Sequence, residues 1–155
     1  MTGHNPTDRS KLGSKRHILT DKYGIPLSVI ITSANTHDVT TVAIDTVDSM
    51  VLKRSSSQLN DRKKQNLCLD KAYHSKEVEQ EIFNRGYIPH IRHRREEKLF
   101  HRTHPAARRW VVERTNSWHN RFRKLFTRYE KKDENYLGLV QLANSLIVYR
   151  RIILG

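Results

Sequence analysis

Cysteine is nearly absent from this 155-residue chain. Cys68 stands alone, so neither a disulfide framework nor a cysteine-built zinc site can form within it. Long apolar runs are missing too. No stretch approaches the roughly 20 apolar residues that a membrane-spanning helix needs. The opening MTGHNPTDRSK has no apolar core of the kind a secretory leader carries. There are no internal repeats, no glycine-rich phosphate loop and no Ser-His-Asp spacing, and the scattered histidines form no HExxH pattern. Acidic residues are outnumbered: 16 Asp and Glu face 29 Lys and Arg, a formal net charge of +13. These absences leave a cytosolic protein with no membrane partner as the expectation. The charge predicts a polyanionic partner held by phosphate contacts and counterion release, and it carries no information about sequence preference. The length suits one domain with a real core.

What is present reads as alternating strands and helices. Residues 1–14 are polar and rich in turn formers, and are expected to be an extended, basic lead-in to a folded core over 15–155. The runs 15–21 (KRHILTD) and 25–33 (IPLSVIITS) are β-rich, and Asp21-Lys22-Tyr23-Gly24 supplies turn chemistry between them, so a β-hairpin is predicted. Asp38 is a good N-cap for a helix starting at Val39, with Val39, Val42, Ala43, Val47, Met50 and Val51 inward. His37 beside that cap reads as structural rather than as a ligand. The charged stretch 53–65 reads as a solvated linker.

Residues 66–73 (NLCLDKAY) read as a short buried strand ending in a carboxylate. Asp70 stands where the strand leaves its sheet, the place where α/β folds put ligands; an N-cap or turn role is the plain alternative. A helix over 74–85 is predicted with Val78, Ile82 and Phe83 inward and Gly86 as its stop. A strand over 87–91 follows, and Pro89 suits an edge or a strand end.

The basic stretch 92–104 contains Arg92, Arg94, Arg95, Lys98 and Arg102, read as phosphate contacts with a merely solvated face as the alternative. Pro105 can open a long helix. Along 108–124 (RRWVVERTNSWHNRFRK), Val111, Thr115, Trp118 and Phe122 form an apolar stripe that Leu125 continues, and Arg109, Glu113, Asn116 and Asn120 a polar one. Arg108, Arg114, Arg121, Arg123, Lys124 and Arg128 continue the positive bias and join the expected phosphate contacts. Trp110, Trp118, Phe122, Phe126 and Tyr129 interleave with that charge and are expected mainly in the core. Glu113 is the odd residue: either a routine salt bridge with Arg109 one turn earlier, or a carboxylate aimed where phosphates and a metal ion meet. Asp133 is expected to cap a last helix running to about Ile153, so apolar that burial against the sheet follows.

Strands mixed with helices argue for an α/β fold. Two carboxylates from distant segments, Asp70 and Glu113, in so positive a chain are the groups that metal-assisted phosphoryl transfer needs. Their hard oxygens suit Mg²⁺.

The segments NPTDRSKLGSKRHILTDKYGIPL, SANTHD, LCLDKAY, YIPHIRHRREEK and HPAARRWVVERTNSWHNRFRKLFTRYEKK resemble the DDE transposases of bacterial insertion sequences. More narrowly they resemble the group whose transposase is split between two reading frames. The resemblance covers essentially the whole chain. It implies a ribonuclease H-like fold, a mixed sheet flanked by helices. It also implies DNA strand cleavage and strand transfer by two Mg²⁺ ions, with Mn²⁺ as a possible substitute, held by an Asp-Asp-Glu triad. The implied partners are element ends and target DNA, with a homo-oligomer assembled on them at the bacterial nucleoid.

By position, Asp70 matches the second Asp, Glu113 the Glu, and Arg109 the arginine of the family's C-terminal signature. A broader form of that signature has Tyr and Lys where this chain has Ala106 and Asn120, with Arg121 next door. The family's first Asp lies on a first strand ahead of NPTDR. Asp8 belongs to NPTDR itself and Asp21 to the hairpin turn, so neither replaces it. The expectation is therefore a C-terminal catalytic part that lacks its first strand and N-terminal DNA-binding region. Alone it should be inactive or nearly so, and frameshift fusion to an upstream part should complete it. The rival reading is a non-catalytic basic DNA-binding fragment, a regulator or decayed remnant. A ribosomal or RNA-packaging protein would explain the charge but not the placed carboxylates.

Overall fold

The computed structural model describes residues 2–4, 12–36, 40–52, 64–91 and 110–155. The chain gathers into two compact units. One comprises Met1–His37, Thr46–Val51 and Arg109–Gly155; the other Asp38–Asp45 and Leu52–Arg108.

In the first unit, β1 (Gly3–His4), β2 (Leu12–Thr20) and β3 (Pro26–Ser33) form an antiparallel sheet with β2 in the middle. Residues Ser14 to Leu19 pair with Ser33 to Ser28 in unbroken register, and the register shifts between Leu19 and Thr20, which faces Pro26. The predicted hairpin is present, with β2 beginning at Leu12. Asp21 closes its turn: one carboxylate oxygen, Oδ1, accepts from the amides of Tyr23 and Ile25, each at 2.8 Å. Gly24 follows at φ 82°, a left-handed conformation that glycine adopts without steric cost.

The same unit holds α3 (Trp110–Asn120), α4 (Arg123–Phe126) and α5 (Asp133–Ile152), named in chain order after α1 and α2 below. The continuous helix expected over 108–124 is broken after Asn120. The amides of Arg121 and Phe122 donate to the carbonyls of Trp118 and His119 at 3.2 and 3.0 Å, a tightened last turn. Phe122 is then extended and serves as N-cap of α4. The break lets Leu125 join the core formed by Val29, Tyr136, Val140 and Ala143, with Phe122 packed beside it. It also leaves aromatics outside, against expectation: Phe126 and Tyr129 are 70% and 76% exposed, and Trp110, at the start of α3, is half exposed.

Asp133 is the first residue of α5 rather than its cap; its carboxylate accepts from Arg128 Nη2 at 2.6 Å, and Lys132 stands at the cap position. Tyr136, Val140, Ala143 and Ile147 are buried at four-, three- and four-residue spacing, the seam of a helix lying on one surface. α5 packs on β3. Leu142, Leu146 and Tyr149 are exposed, so its burial is one-sided and not complete as the composition suggested.

In the second unit, β4 (Gln65–Leu69) and β5 (Tyr87–Ile91) are parallel, with Gln65 opposite Tyr87 and Leu69 opposite Ile91. Parallel neighbours need a crossover, and α2 (Lys76–Asn84) provides it, packing on β5 through Val78 and Ile82. Ser75 caps it by accepting from the Val78 amide at 3.1 Å. Gly86 ends it at φ 81°. Phe83 is not inward as expected: it is half exposed beneath the Lys64 ammonium, 3.7 Å from the ring centroid. Within β4 only Leu67 is buried, so the run 67–69 is half covered rather than wholly enclosed. Successive side chains of a strand point to opposite faces, and among the described residues one helix, α2, packs on this strand pair.

α1 (Thr40–Asp48) buries Val42, Ala43 and Val47, and its Thr46 carbonyl accepts from Ser28 Oγ at 2.6 Å. Val51, expected on its inward face, lies past the helix end and is exposed. His37, Asp38 and Val39, with the expected cap, lie outside the described residues, as does the linker 53–63. Among the described residues no helix is long and apolar enough to cross a membrane.

Candidate functional site

Glu113 occupies the first turn of α3 and is exposed. A carboxylate there is favoured by the partial positive charge of the helix start. Among the described residues no hydrogen bond or ion pair occupies it. The opposite side of the helix is fixed. Val111, Thr115 and His119, at four-residue spacing, are buried, the last two completely. Thr115 Oγ1 donates to the Gly24 carbonyl at 2.6 Å, and Arg114 Nη2 to the Tyr23 carbonyl at 2.6 Å. Arg114 also stacks on aromatic faces, 4.5 Å from the Trp110 centroid and 5.3 Å from that of Trp118.

Asp70 immediately follows β4 and is exposed. Its carbonyl accepts from the Tyr73 amide at 3.0 Å, which opens the 3-10 turn Lys71–Tyr73. Its backbone thus makes the turn, and the residue stands at the C-terminal end of a parallel strand.

The basic residues divide. Arg121, Arg123 and Lys124 are exposed at the corner between α3 and α4. Arg114 and Arg128 are half-buried and bonded internally. Arg128 donates to Asp133, to Ser14 Oγ and to the Glu130 carbonyl, and lies 4.9 Å from the Tyr136 ring centroid. Arg92, Arg94, Arg95, Lys98, Arg102, Arg108 and Arg109 lie outside the described residues, and with Arg109 the suggested pair to Glu113. Among the described residues no three His, Cys, Asp or Glu side chains are grouped to hold a metal ion.

One buried residue, His119, and one buried bond, that of the Thr115 hydroxyl, escaped the sequence reading. His119 is enclosed with its Nε2 2.6 Å from Asn144 Oδ1. Thr115 was placed on the apolar stripe, yet its hydroxyl is what joins the helix to the hairpin. The glycine of DKYGIP was read only as part of the turn, although close backbone approach is the other thing a glycine permits.

These features define a basic α/β protein that exposes one carboxylate at a strand end and another at a helix start. The chain belongs to the transposase DDE domain family, whose pattern matches residues 2–148, and with it to the transposases of bacterial insertion sequences. It is 35% identical over 151 residues to a Burkholderia cepacia protein assigned as a transposase for insertion sequence element IS402, an alignment spanning 97% of this chain and 70% of that protein. No solved structure matches the chain.

Proposed function

We propose that this chain supplies the C-terminal catalytic part of a transposase that cleaves element-end DNA and transfers the freed strand to target DNA. In this reading 1–155 is one catalytic domain of ribonuclease H-like fold. A hairpin followed by a parallel strand-helix-strand unit and flanking helices supports that assignment. The observation that carries the reading is the exposure of Asp70 at the end of β4 and of Glu113 in the first turn of α3, the two residues that the resemblance matches to the family's second Asp and its Glu.

Asp70 and Glu113 are the residues that would hold divalent metal, and their carboxylate oxygens are the donors that Mg²⁺ and Mn²⁺ take. Such ions, when bound, stabilise charge on the attacking and leaving oxygens of an in-line displacement at phosphorus. Arg109 lies one helical turn before Glu113 in sequence and is assigned to the reacting phosphate. Arg92, Arg94, Arg95, Lys98, Arg102, Arg108, Arg121, Arg123 and Lys124 are assigned to the DNA backbone. Arg114 belongs with them by charge, although its guanidinium is largely engaged within the protein. The third carboxylate of the triad comes, on the family pattern, from a strand ahead of NPTDR, supplied by frameshift fusion to an upstream part. The assembled enzyme works as a homo-oligomer on paired element ends in the nucleoid.

The test is cleavage of labelled element-end DNA in Mg²⁺ or Mn²⁺ by this chain alone and by its fusion to the upstream frame. Activity is expected in the fusion. Asp70→Asn or Glu113→Gln should abolish it while DNA binding persists. Cleavage that survives both substitutions overturns the reading. A second reading, a non-catalytic DNA-binding regulator or remnant, rests on the exposed Arg121, Arg123 and Lys124, which need no carboxylate to bind phosphates. A silent fusion that still binds DNA in a salt-sensitive way would select it.

A further inference from the structure

The turn of the β2–β3 hairpin and the helix that carries Glu113 meet backbone to side chain. Asp21 shapes the turn, accepting two amides on Oδ1, and the Gly24 amide donates to the Asp21 carbonyl at 3.1 Å. So folded, the turn presents two successive carbonyls to α3, and two successive residues of α3 take them: Arg114 donates to Tyr23 and Thr115 to Gly24, both at 2.6 Å. A helical threonine ordinarily donates to the carbonyl four residues back. Here that carbonyl, Val111, is at 3.3 Å, so the shorter bond goes to the hairpin. Gly24 permits the approach. A Cβ on it would lie 3.2 Å from both Thr115 Oγ1 and the Val111 carbonyl and 3.3 Å from Arg114 Nε, at a φ that side chains avoid.

We propose that this clamp, Tyr23–Gly24 against Arg114–Thr115, is a positioning device for Glu113, and that Thr115 and Gly24 are positioning residues for the transposase. The inference rests on the reading of Glu113 as a metal-ligating carboxylate. Thr115 is two residues past Glu113, hence about 200° around the helix, so fixing one side aims the other. A glutamate carboxylate stands about 6 Å from the helix axis, and rolling the helix by about 10° carries it about 1 Å. Metal–ligand distances tolerate only about ±0.2 Å. Apolar packing through Val111 resists separation but not rolling, because it has no direction. The two short hydrogen bonds to backbone carbonyls do have direction, and they fix both the roll and the axial position of α3.

The variants are Thr115→Val, which keeps the shape and loses the donor, Thr115→Ser, which keeps the donor, and Gly24→Ala. The first readout is hydrogen exchange in this chain. Thr115→Val and Gly24→Ala should speed amide exchange in α3 about tenfold or more with α5 near Val140 unchanged, and Thr115→Ser should stay close to the parent. Equal acceleration in α3 and α5 would mean a general loss of stability and would overturn the clamp. The second readout is the Mn²⁺ concentration giving half-maximal cleavage by the fusion to the upstream frame. Thr115→Val should raise it about tenfold with DNA affinity unchanged, and Thr115→Ser should restore it. An unchanged metal requirement in Thr115→Val overturns the positioning role. If Glu113→Gln still cleaves, or no form of the fusion cleaves, the reading of Glu113 falls and the positioning role with it. The exchange pattern distinguishes that failure from the absence of a clamp.

Discussion

The imidazole of His119 and the amide of Asn144 form a buried bond, Nε2 to Oδ1 at 2.6 Å, that joins α3 to α5 within the first unit. Nε2 donates to the amide oxygen, so Nδ1 is the bare nitrogen. It is buried and has no partner among the described residues. Burial holds the His119 pKa below its usual 6.5; the Asn144 bond partly opposes this, and the positive charge of Arg16 adds to it.

The sign of the pH effect follows. Above about pH 6.5 His119 is neutral in both folded and unfolded chains, and its contribution to stability is complete. As pH falls below that value the unfolded chain takes up a proton that the folded chain refuses. Stability then drops by up to about 1.4 kcal/mol per pH unit until the lower folded pKa is reached. Urea midpoints should therefore fall as the pH is lowered below about 6.5, and His119→Gln should make that fall shallower. If the variant keeps the parent's full pH slope, His119 is not the group responsible.

The second unit depends on the two ends of α2 and on one side chain between them. Ser75→Ala removes the bond to the Val78 amide and should cost about 1 kcal/mol. Gly86→Ala forces a Cβ into a left-handed φ and should cost about 1 kcal/mol. Ile82 is wholly buried, so Ile82→Ala should cost the most, about 2–5 kcal/mol. Denaturant titration of the three variants checks the order, and an Ile82→Ala cost no larger than the other two contradicts the burial.

Much of this fold was legible because local chemistry and tertiary packing agree there. Asp21 and Gly24 announce their turn, Gly86 stops α2, which starts at Lys76 rather than at the expected residue 74, and 87–91 is a strand end to end. What was not legible depends on partners remote in sequence. The helical period runs through Arg121 without interruption, and only the cluster of Val29, Tyr136 and Val140 explains why the chain breaks there to deliver Leu125. Phe83 and Leu142 carry an apolar signature at positions that are exposed among the described residues. Arg128 could not be told from Arg121 by charge, because the difference lies in Ser14 and Asp133. Of the candidate site, the position of Asp70 at a strand end could be read from the sequence; the place of Glu113 in a first turn, within a helix expected to open at Pro105, and the bond from Thr115 to Gly24, across 91 residues, could not.

That difference between arginines can be measured. Arg128→Gln strips the Asp133 carboxylate of its cation and Ser14 Oγ of a donor, in a side chain that is only 12% exposed. A loss of about 2–3 kcal/mol is expected, in the range for a hydrogen bond to a charged group in a shielded setting. Arg121→Gln, on an exposed side chain, should change stability by less than about 0.5 kcal/mol. Equal effects in thermal unfolding would show that Arg128 is a surface charge like the others.

The exposed corner residues Arg121, Arg123 and Lys124 should carry the complementary effect. A cation that neutralises a DNA phosphate releases condensed counterions, and the logarithm of affinity then falls with the logarithm of salt by about 0.9 per phosphate contact. Replacing all three by glutamine should therefore flatten that slope by about 2.7 and weaken binding at low salt, with little change in unfolding. Because phosphate contacts do not read bases, the loss should be the same on element-end DNA and on unrelated duplex. Salt-titrated fluorescence anisotropy on both DNAs checks this. A parent-like slope would move the phosphate contacts away from this corner, and a loss confined to element ends would mean that these side chains touch bases.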